Sequence, residues 1–205
     1  MKKNKMETNK VYVSGEIISD FQVVFKRCNT SYYMADLAVR RLSDQVDFIP
    51  VVFNDQMIDI ANDYKGQYIS VAGQYISNNF TENGKERVRL YVMAEEVELG
   101  EAEDRDADDN YIFLDGHVCK KPVLRRTPNG RSITDLFVAV NCPGRKSYYF
   151  PCICWGSVAY SAARLSVGAH VRILGRIQSR EYSKQLDENT VEKRIAYEVS
   201  IKDIK

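Results

Sequence analysis

Apolar and polar residues alternate with a period of two through most of this chain, interrupted at regular intervals by Gly, Asn, Asp and Pro. Asn9-Lys10-Val11-Tyr12-Val13-Ser14-Gly15 opens the pattern, and Asn110-Tyr111-Ile112-Phe113-Leu114-Asp115-Gly116 restates it. Such alternation predicts half-buried strands bounded by turns. Two short stretches break it. Met57, Ile60, Ala61 and Tyr64 share one face at helical spacing, as do Val158, Ala162 and Leu165, which predicts two helices of about three turns each.

The recurrence is a tandem repeat covering nearly the whole chain. Gly15 meets Gly116, Ala38-Val39 meets Ala139-Val140 and Pro50 meets Pro151, all at an offset of 101 residues. Gly66 and Gly73 meet Gly168 and Gly175 at an offset of 102, and Arg87 and Val97 meet Arg194 and Ile204 at an offset of 107. The later shifts place one inserted residue before Gly168 and five in a polar hairpin, where added length costs little.

Each copy reads alike. A strand runs to the first glycine, a second precedes the Ala-Val pair, a third follows the proline, a short helix comes next, and two strands close the unit. Five short strands with one helix between strands 3 and 4 make the pattern of an OB-fold barrel. Closure also suits so small a core, because it removes most exposed strand edge. The predicted fold is all-β: two tandem five-stranded OB-fold barrels. Residues 1–8 form a basic N-terminal tail, 9–99 the first barrel, 100–109 a linker and 110–205 the second barrel. The linker carries six acids and one arginine without a large apolar residue, as a solvated spacer would.

Charge changes the picture once it is divided. The 205 residues carry a net charge of only +1, which taken whole argues against polyanion binding. By segment the charges are +2 for the tail, −4 for the first barrel, −5 for the linker and +8 for the second barrel. A basic barrel is therefore hidden behind an acidic one.

The placement of the bases within the second copy suggests a use for them. Arg125, Arg126 and Arg131 surround the turn former Thr127-Pro128-Asn129-Gly130. Arg145 and Lys146 occupy the next loop, Arg172 and Arg176 lie on or beside the fourth strand, and Arg180 and Lys184 enter the last hairpin. Tyr148, Tyr149, Trp155 and Tyr182 are interleaved with them. Arginines that neutralise phosphates, together with aromatic faces that stack on bases, give sequence-tolerant binding of single strands along the sheet face of an OB barrel. Trp155, at a strand-to-helix junction, fits either a stacking platform or a plug for the barrel end.

Other chemistry is not indicated. Cys28, Cys119, Cys142, Cys152 and Cys154 lack metal-ligand or disulfide spacing, and His117 and His170 lie far apart in sequence. Cys152 and Cys154 alternate on one strand face, as reduced core cysteines would. No nucleophile motif or phosphate-cradling glycine loop stands out. The expectation is a protein without catalytic activity, metal or cofactor. No apolar run approaches a membrane span and no signal-peptide core follows Met1–Lys5, so a cytoplasmic location without membrane contact is expected.

The second copy, with Lys-Pro-Val-Leu-Arg-Arg-Thr-Pro-Asn-Gly, Phe137-Val138-Ala139-Val140-Asn141, Trp155-Gly156 and the Gly168–Arg180 segment, resembles the bacterial single-stranded-DNA-binding protein family. Residues 9–99 resemble a diverged copy. The resemblance implies base stacking by Tyr149, Trp155 and Tyr182. The first-copy counterparts are Phe48, Asn54 and Phe80, so asparagine replaces one platform. Asn54 or Asp55 reads better as an N-cap for the first helix. Gln74 and Asn78 replace Arg176 and Arg180, leaving Lys26, Arg27, Arg40 and Arg41 as candidate phosphate contacts.

The resemblance further implies four barrels per assembly, which two barrels per chain reach as a homodimer. The chain ends directly after its last strand at Ile204-Lys205, so no acidic C-terminal recruitment tail is expected. Single-stranded DNA is the leading partner, in replication, recombination or repair. Stacking and phosphate contact serve RNA equally. The other reading is an adaptor or structural protein of a primosome, plasmid or phage replication complex whose barrels mainly bind proteins. It rests on the acidic first copy and its missing platform.

Overall fold

A computed structural model describes residues 8–82, 84–101, 107–142, 147–185 and 190–205. The first copy contains β1 (Asn9–Ile17), β2 (Gln22–Arg27), β3 (Thr30–Arg40), β4 (Val46–Asn54), β5 (Tyr68–Glu82) and β6 (Lys85–Gly100). The second contains β7 (Asn110–Val118), β8 (Val123–Arg126), β9 (Ser132–Asn141), β10 (Ser147–Trp155), helix α1 (Gly156–Ala162), β11 (His170–Gln185) and β12 (Val191–Ile204). Each copy is an OB barrel whose first strand is broken in two. In the second copy Pro122, which has no N–H to give to a ladder, marks the break. In the first, Ser19 Oγ accepts the Asp36 N–H at 2.8 Å where a backbone partner would otherwise stand.

The barrels close in matching ways. The end of β1 returns to β3 at Glu16↔Ala38 and Ile17↔Leu37, and the end of β7 returns to β9 at His117↔Ala139 and Val118↔Val138. Parallel pairs β4–β6 and β10–β12 complete the circuits, starting at Val51↔Val92 and Cys152↔Val199. Pro50 and Pro151 lie one residue before these pairings, where a missing N–H breaks no hydrogen bond. A Cβ on Gly15 would collide with the carbonyl oxygen of Ala38, and one on Gly116 with that of Ala139. Close strand approach at the closure therefore explains why the repeat returns to glycine there.

The two copies are not beads on a string. β1 pairs antiparallel with β7 in the register Asn9↔Leu114, Val11↔Ile112 and Val13↔Asn110, making one twelve-stranded sheet. Val11 and Ile112 are repeat equivalents, so a pseudo-two-fold axis passes between them. The side chains obey it. Asn9 accepts the Tyr75 N–H at 3.0 Å and donates to the Tyr75 carbonyl at 2.6 Å, while Asn110 makes the same pair with Ile177 at 2.9 and 2.8 Å. One continuous apolar core draws residues from both barrels, with the Tyr75 and Phe150 rings stacked at 5.1 Å across the junction.

Two sequence expectations need correction. The first copy has no helix at residues 55–66; the segment is a string of turns. Asp59 Oδ1 accepts the Ala61 N–H at 3.1 Å and Asp63 Oδ1 the Lys65 N–H at 2.9 Å. Such local side-chain bonds compete with a helical ladder, so the apolar spacing was overruled by Asx turns. Ile58 rather than Ile60 enters the core. Asn54 and Asp55 accordingly cap no helix: Asn54 accepts the Gln56 N–H at 2.9 Å, and Asp55 accepts that of Ser31 at 2.8 Å.

The end of the linker is also not a free spacer. Asp108, with a side chain 2% exposed, receives the Arg40 guanidinium at 2.8 Å, and the Tyr68 hydroxyl donates to it at 3.1 Å. Among the described residues no helix is long and apolar enough to cross a membrane.

Candidate nucleic-acid interface

Strand alternation sorts β10 into two faces. Phe150, Cys152 and Cys154 point into the core, and Tyr149, Pro151, Ile153 and Trp155 lie on the opposite face, where Ile153 is buried. Burial pushes the Cys154 thiol up to about 12 and Cys152 well above the ordinary thiol range, so both are unreactive filling. Tyr149 is 47% exposed at one end of the outer face. Trp155 stands at the other, where the chain turns through Gly156 at φ +57° into α1.

Beside Trp155 runs a groove of about 1190 Å³. Arg131, Arg176 and Arg180 line it from the second barrel. Its far wall comes from the first barrel, through Arg41, Gln45 and Phe48. The Arg176 guanidinium is half buried, and that burial, followed by the nearby Arg41, lowers its pKa. Since arginine stays charged regardless, a guanidinium partly withdrawn from water lines the groove, with the buried Asp47 the acid that offsets it and Arg41. Arg180 lies 5.9 Å from the ring centre of Tyr182, which is 37% exposed in the long β11–β12 hairpin.

A smaller groove of about 520 Å³ is its counterpart across the pseudo-two-fold. Phe25, Arg27, Asn78 and Tyr91 of the first barrel line it, together with Tyr149 of the second. Phe25 is stacked on Tyr32 at 4.5 Å. Lys26 and Arg27 sit on an exposed hairpin whose tip, Cys28 and Asn29, holds φ at 47° and 63°.

The remaining expected contacts are scattered. Arg125 is paired with Asp135 at 2.5 and 3.0 Å, while Arg126 is exposed on the edge strand β8. Arg172 stands away from both grooves with its Nε 3.1 Å from Asp115, which also binds His170 at 2.6 Å. The Phe80 ring, far out on the β5–β6 hairpin, is covered by the Arg89 guanidinium at 4.5 Å. Arg145 and Lys146 lie outside the described residues. Sequence reasoning missed Phe137, whose ring stacks 6.4 Å from Tyr149 with Lys120 Nζ 4.4 Å above it. The signal was available: Phe137 falls between the core positions Leu136 and Val138 and so had to point outward. His117 and His170, distant in sequence, are opposed across β7 and β11, but among the described residues no set of three or more ligating side chains could hold a metal ion.

The equivalent outer faces of the barrels differ in kind. Arg125, Asp135, Gln178 and Glu198 in the second copy are replaced by Val24, Met34, Ile76 and Tyr91 in the first. There, with Val52, Tyr32 and Met93, they form a second apolar cluster capped by Tyr148 from the other copy.

Closed barrels joined edge to edge, with grooves where aromatic faces meet arginines, define a tandem OB-fold protein. The family model described as "Single-strand binding protein family" matches residues 8–100 and again 109–205, once for each barrel. The chain belongs to that family. Among curated proteins it is similar to the single-stranded DNA-binding protein of Thermus aquaticus, 24% identical over 148 residues, covering 64% of this chain and 56% of the relative. It is also similar to that of Oceanobacillus iheyensis, 34% identical over 83 residues, covering 37% of this chain and 52% of the relative. The chain thus spans about half the length of these relatives. The solved structure of the wild-type Thermus aquaticus protein shares the fold with a TM-score of 0.75 at 20% identity, over 96% of this chain and 91% of that one.

Proposed function

We propose that this protein binds single-stranded DNA without catalysis and largely without sequence preference, protecting exposed strands during replication, recombination or repair. The observation that carries the reading is the convergence of Trp155 with Arg131, Arg176 and Arg180 on one groove. Guanidinium groups there attract phosphates, and aromatic faces accept bases of any identity. Membership of the family and the names of the relatives support it. The second barrel carries most of the binding, because the matching face of the first has become apolar and fills itself.

A homodimer presenting four barrels is part of this reading. The face of β1, β7 and β11 shows Tyr12 at 41%, Tyr111 at 60% and Leu174 at 50% exposure, an apolar patch that a second copy would cover. Sedimentation at micromolar concentration should then report a dimer, and a monomer would remove this element.

Titration with poly-dT tests the main reading. Emission from Trp155, the single tryptophan, should quench or shift on binding, and affinity should fall as salt rises. Reversing the charge of Arg176 and Arg180 should weaken binding more than reversing Lys26 and Arg27. Absence of binding at low salt, with protein partners retained after nuclease treatment, would instead favour the adaptor reading. The apolar outer face of the first barrel is what keeps that reading in view.

A further inference from the structure

Phe48 and Tyr149 occupy equivalent places in the repeat, at the outer start of β4 and of β10. Each lines a groove walled by the other barrel, although the Tyr149 ring is also stacked 6.4 Å from Phe137 of its own. Phe48 lines the groove of Trp155, Arg176 and Arg180, and Tyr149 lines that of Phe25, Arg27 and Asn78. Along β10, Tyr149 and Trp155 are six residues apart, about 20 Å of extended chain, so they cannot serve neighbouring bases.

The crossing is fixed by hydrogen bonds rather than left to side-chain mobility. The Phe48 N–H donates to Ser179 Oγ at 2.8 Å, and the Ser179 N–H donates to Asp47 Oδ1 at 2.7 Å. Asp47 is fully buried and is met by the Arg41 guanidinium through Nε at 2.6 Å and through Nη2. Arg41 Nη1 in turn donates to Gln45 Oε1 at 2.8 Å. Segment 41–48 of the first barrel is thereby tied to β11 of the second, between Arg176 and Arg180. The equivalent of Asp47 in the other copy is Tyr148, which packs into the apolar cluster instead and has no carboxylate to make such a tie.

We propose that the two strand-start aromatics are exchanged between the barrels: Phe48 completes the stacking platform of Trp155, Arg176 and Arg180, Tyr149 completes that of Phe25 and Arg27, and Asp47 is the positioning residue that holds Phe48 in place. The proposal rests on the strand-binding reading above. Its consequence is that neither barrel carries a whole binding groove, since each platform is assembled across the β1–β7 junction.

Double-mutant cycles on the full chain, read by anisotropy of a labelled oligo-dT, test the exchange. Phe48→Ala should weaken binding about tenfold, in the range of one lost stacking contact. Combined with Arg180→Ala its effect should depart from the product of the single effects by about threefold or more, while Phe48→Ala with Arg27→Ala should multiply independently. Tyr149→Ala should show the reverse, coupling to Arg27→Ala and not to Arg180→Ala. Asp47→Asn should weaken binding about as much as Phe48→Ala, and add little when Phe48 is already alanine. Urea unfolding of each variant separates loss of binding from loss of fold, and the Phe48 cycle stands without Asp47→Asn should that variant not fold. Coupling of Phe48 to Arg27 and of Tyr149 to Arg180 would overturn the exchange while leaving the strand-binding reading intact. A wild-type chain that fails to bind oligo-dT would overturn both.

Discussion

Asn9 and Asn110 perform the same task from opposite sides of the junction, each closing a two-bond ring onto the backbone of its own barrel, at Tyr75 and Ile177. The two asparagines stand on the strands that join the copies, at the point where those strands leave their own sheet neighbours. Asparagine suits the place because one amide offers both a donor and an acceptor, as a strand residue's backbone would.

Replacing either asparagine by alanine orphans an N–H and a carbonyl together. Asn9 is buried, so Asn9→Ala should cost about 2–4 kcal/mol, with a smaller loss at the half-buried Asn110. Urea midpoints at constant m-value measure this. Equal stability in Asn9→Ala and wild type would show that water or a strand shift restores the lost bonds.

Tyr75→Phe should have the opposite sign. Among the described residues the buried Tyr75 hydroxyl has no hydrogen-bond partner, and burial drives its pKa well above the ordinary value. Removing it deletes a desolvated polar atom and keeps the ring stacked on Phe150, so a gain of about 1 kcal/mol is expected. A destabilised Tyr75→Phe chain would mean that the hydroxyl has a partner in solution.

Thiol labelling should follow burial. Cys28 is exposed on its hairpin tip and should react with a disulfide reagent in the folded protein. Cys152 and Cys154, buried and with thiol pKa values raised, the latter to about 12, should label only after unfolding. Peptide mapping of the first labelled site decides the matter, and early modification of Cys154 would contradict the core packing.

Asp115 gives a pH dependence whose sign is fixed. The His170 hydrogen bond, and after it Arg172, hold this carboxyl below its ordinary value of 3.8. A depressed carboxyl stabilises the fold above its unfolded value, and that contribution fades as pH falls below 3.8 through the lower folded value. Asp115→Asn should therefore lower stability at neutral pH and flatten the acid limb of the stability profile. An unchanged acid limb would show that the contact is fully screened.

The barrels were legible in the sequence because alternation and repeat-spaced glycines report local geometry. Gly15 and Gly116 marked strands that approach too closely for a side chain, and Pro50 and Pro151 marked the positions just before the parallel pairings that close each barrel. The first-copy helix was misread because helical spacing at Met57, Ile60 and Ala61 says nothing about Asp59 and Asp63 bonding to their own backbone. Long-range pairing was the larger omission. Val11 facing Ile112 is a contact between strands that each look complete alone, so alternation could not show which edge joins which. The mixed lining of the grooves was hidden for the same reason. Phe48 and Trp155 belong to different repeats, and only the junction brings them to one place.

The β1–β7 junction lays down a two-fold backbone in which the two halves are free to differ. An assembly of identical subunits related by such an axis presents a strand with the same surface whether it is read 5′ to 3′ or 3′ to 5′ across the axis. Here one groove is flanked by Arg176 and Arg180 and its mate by Asn78 and Arg27. A nucleic acid laid across both would therefore meet unlike ends, and the covalent joining of two unlike barrels removes the symmetry that would make its two directions equivalent.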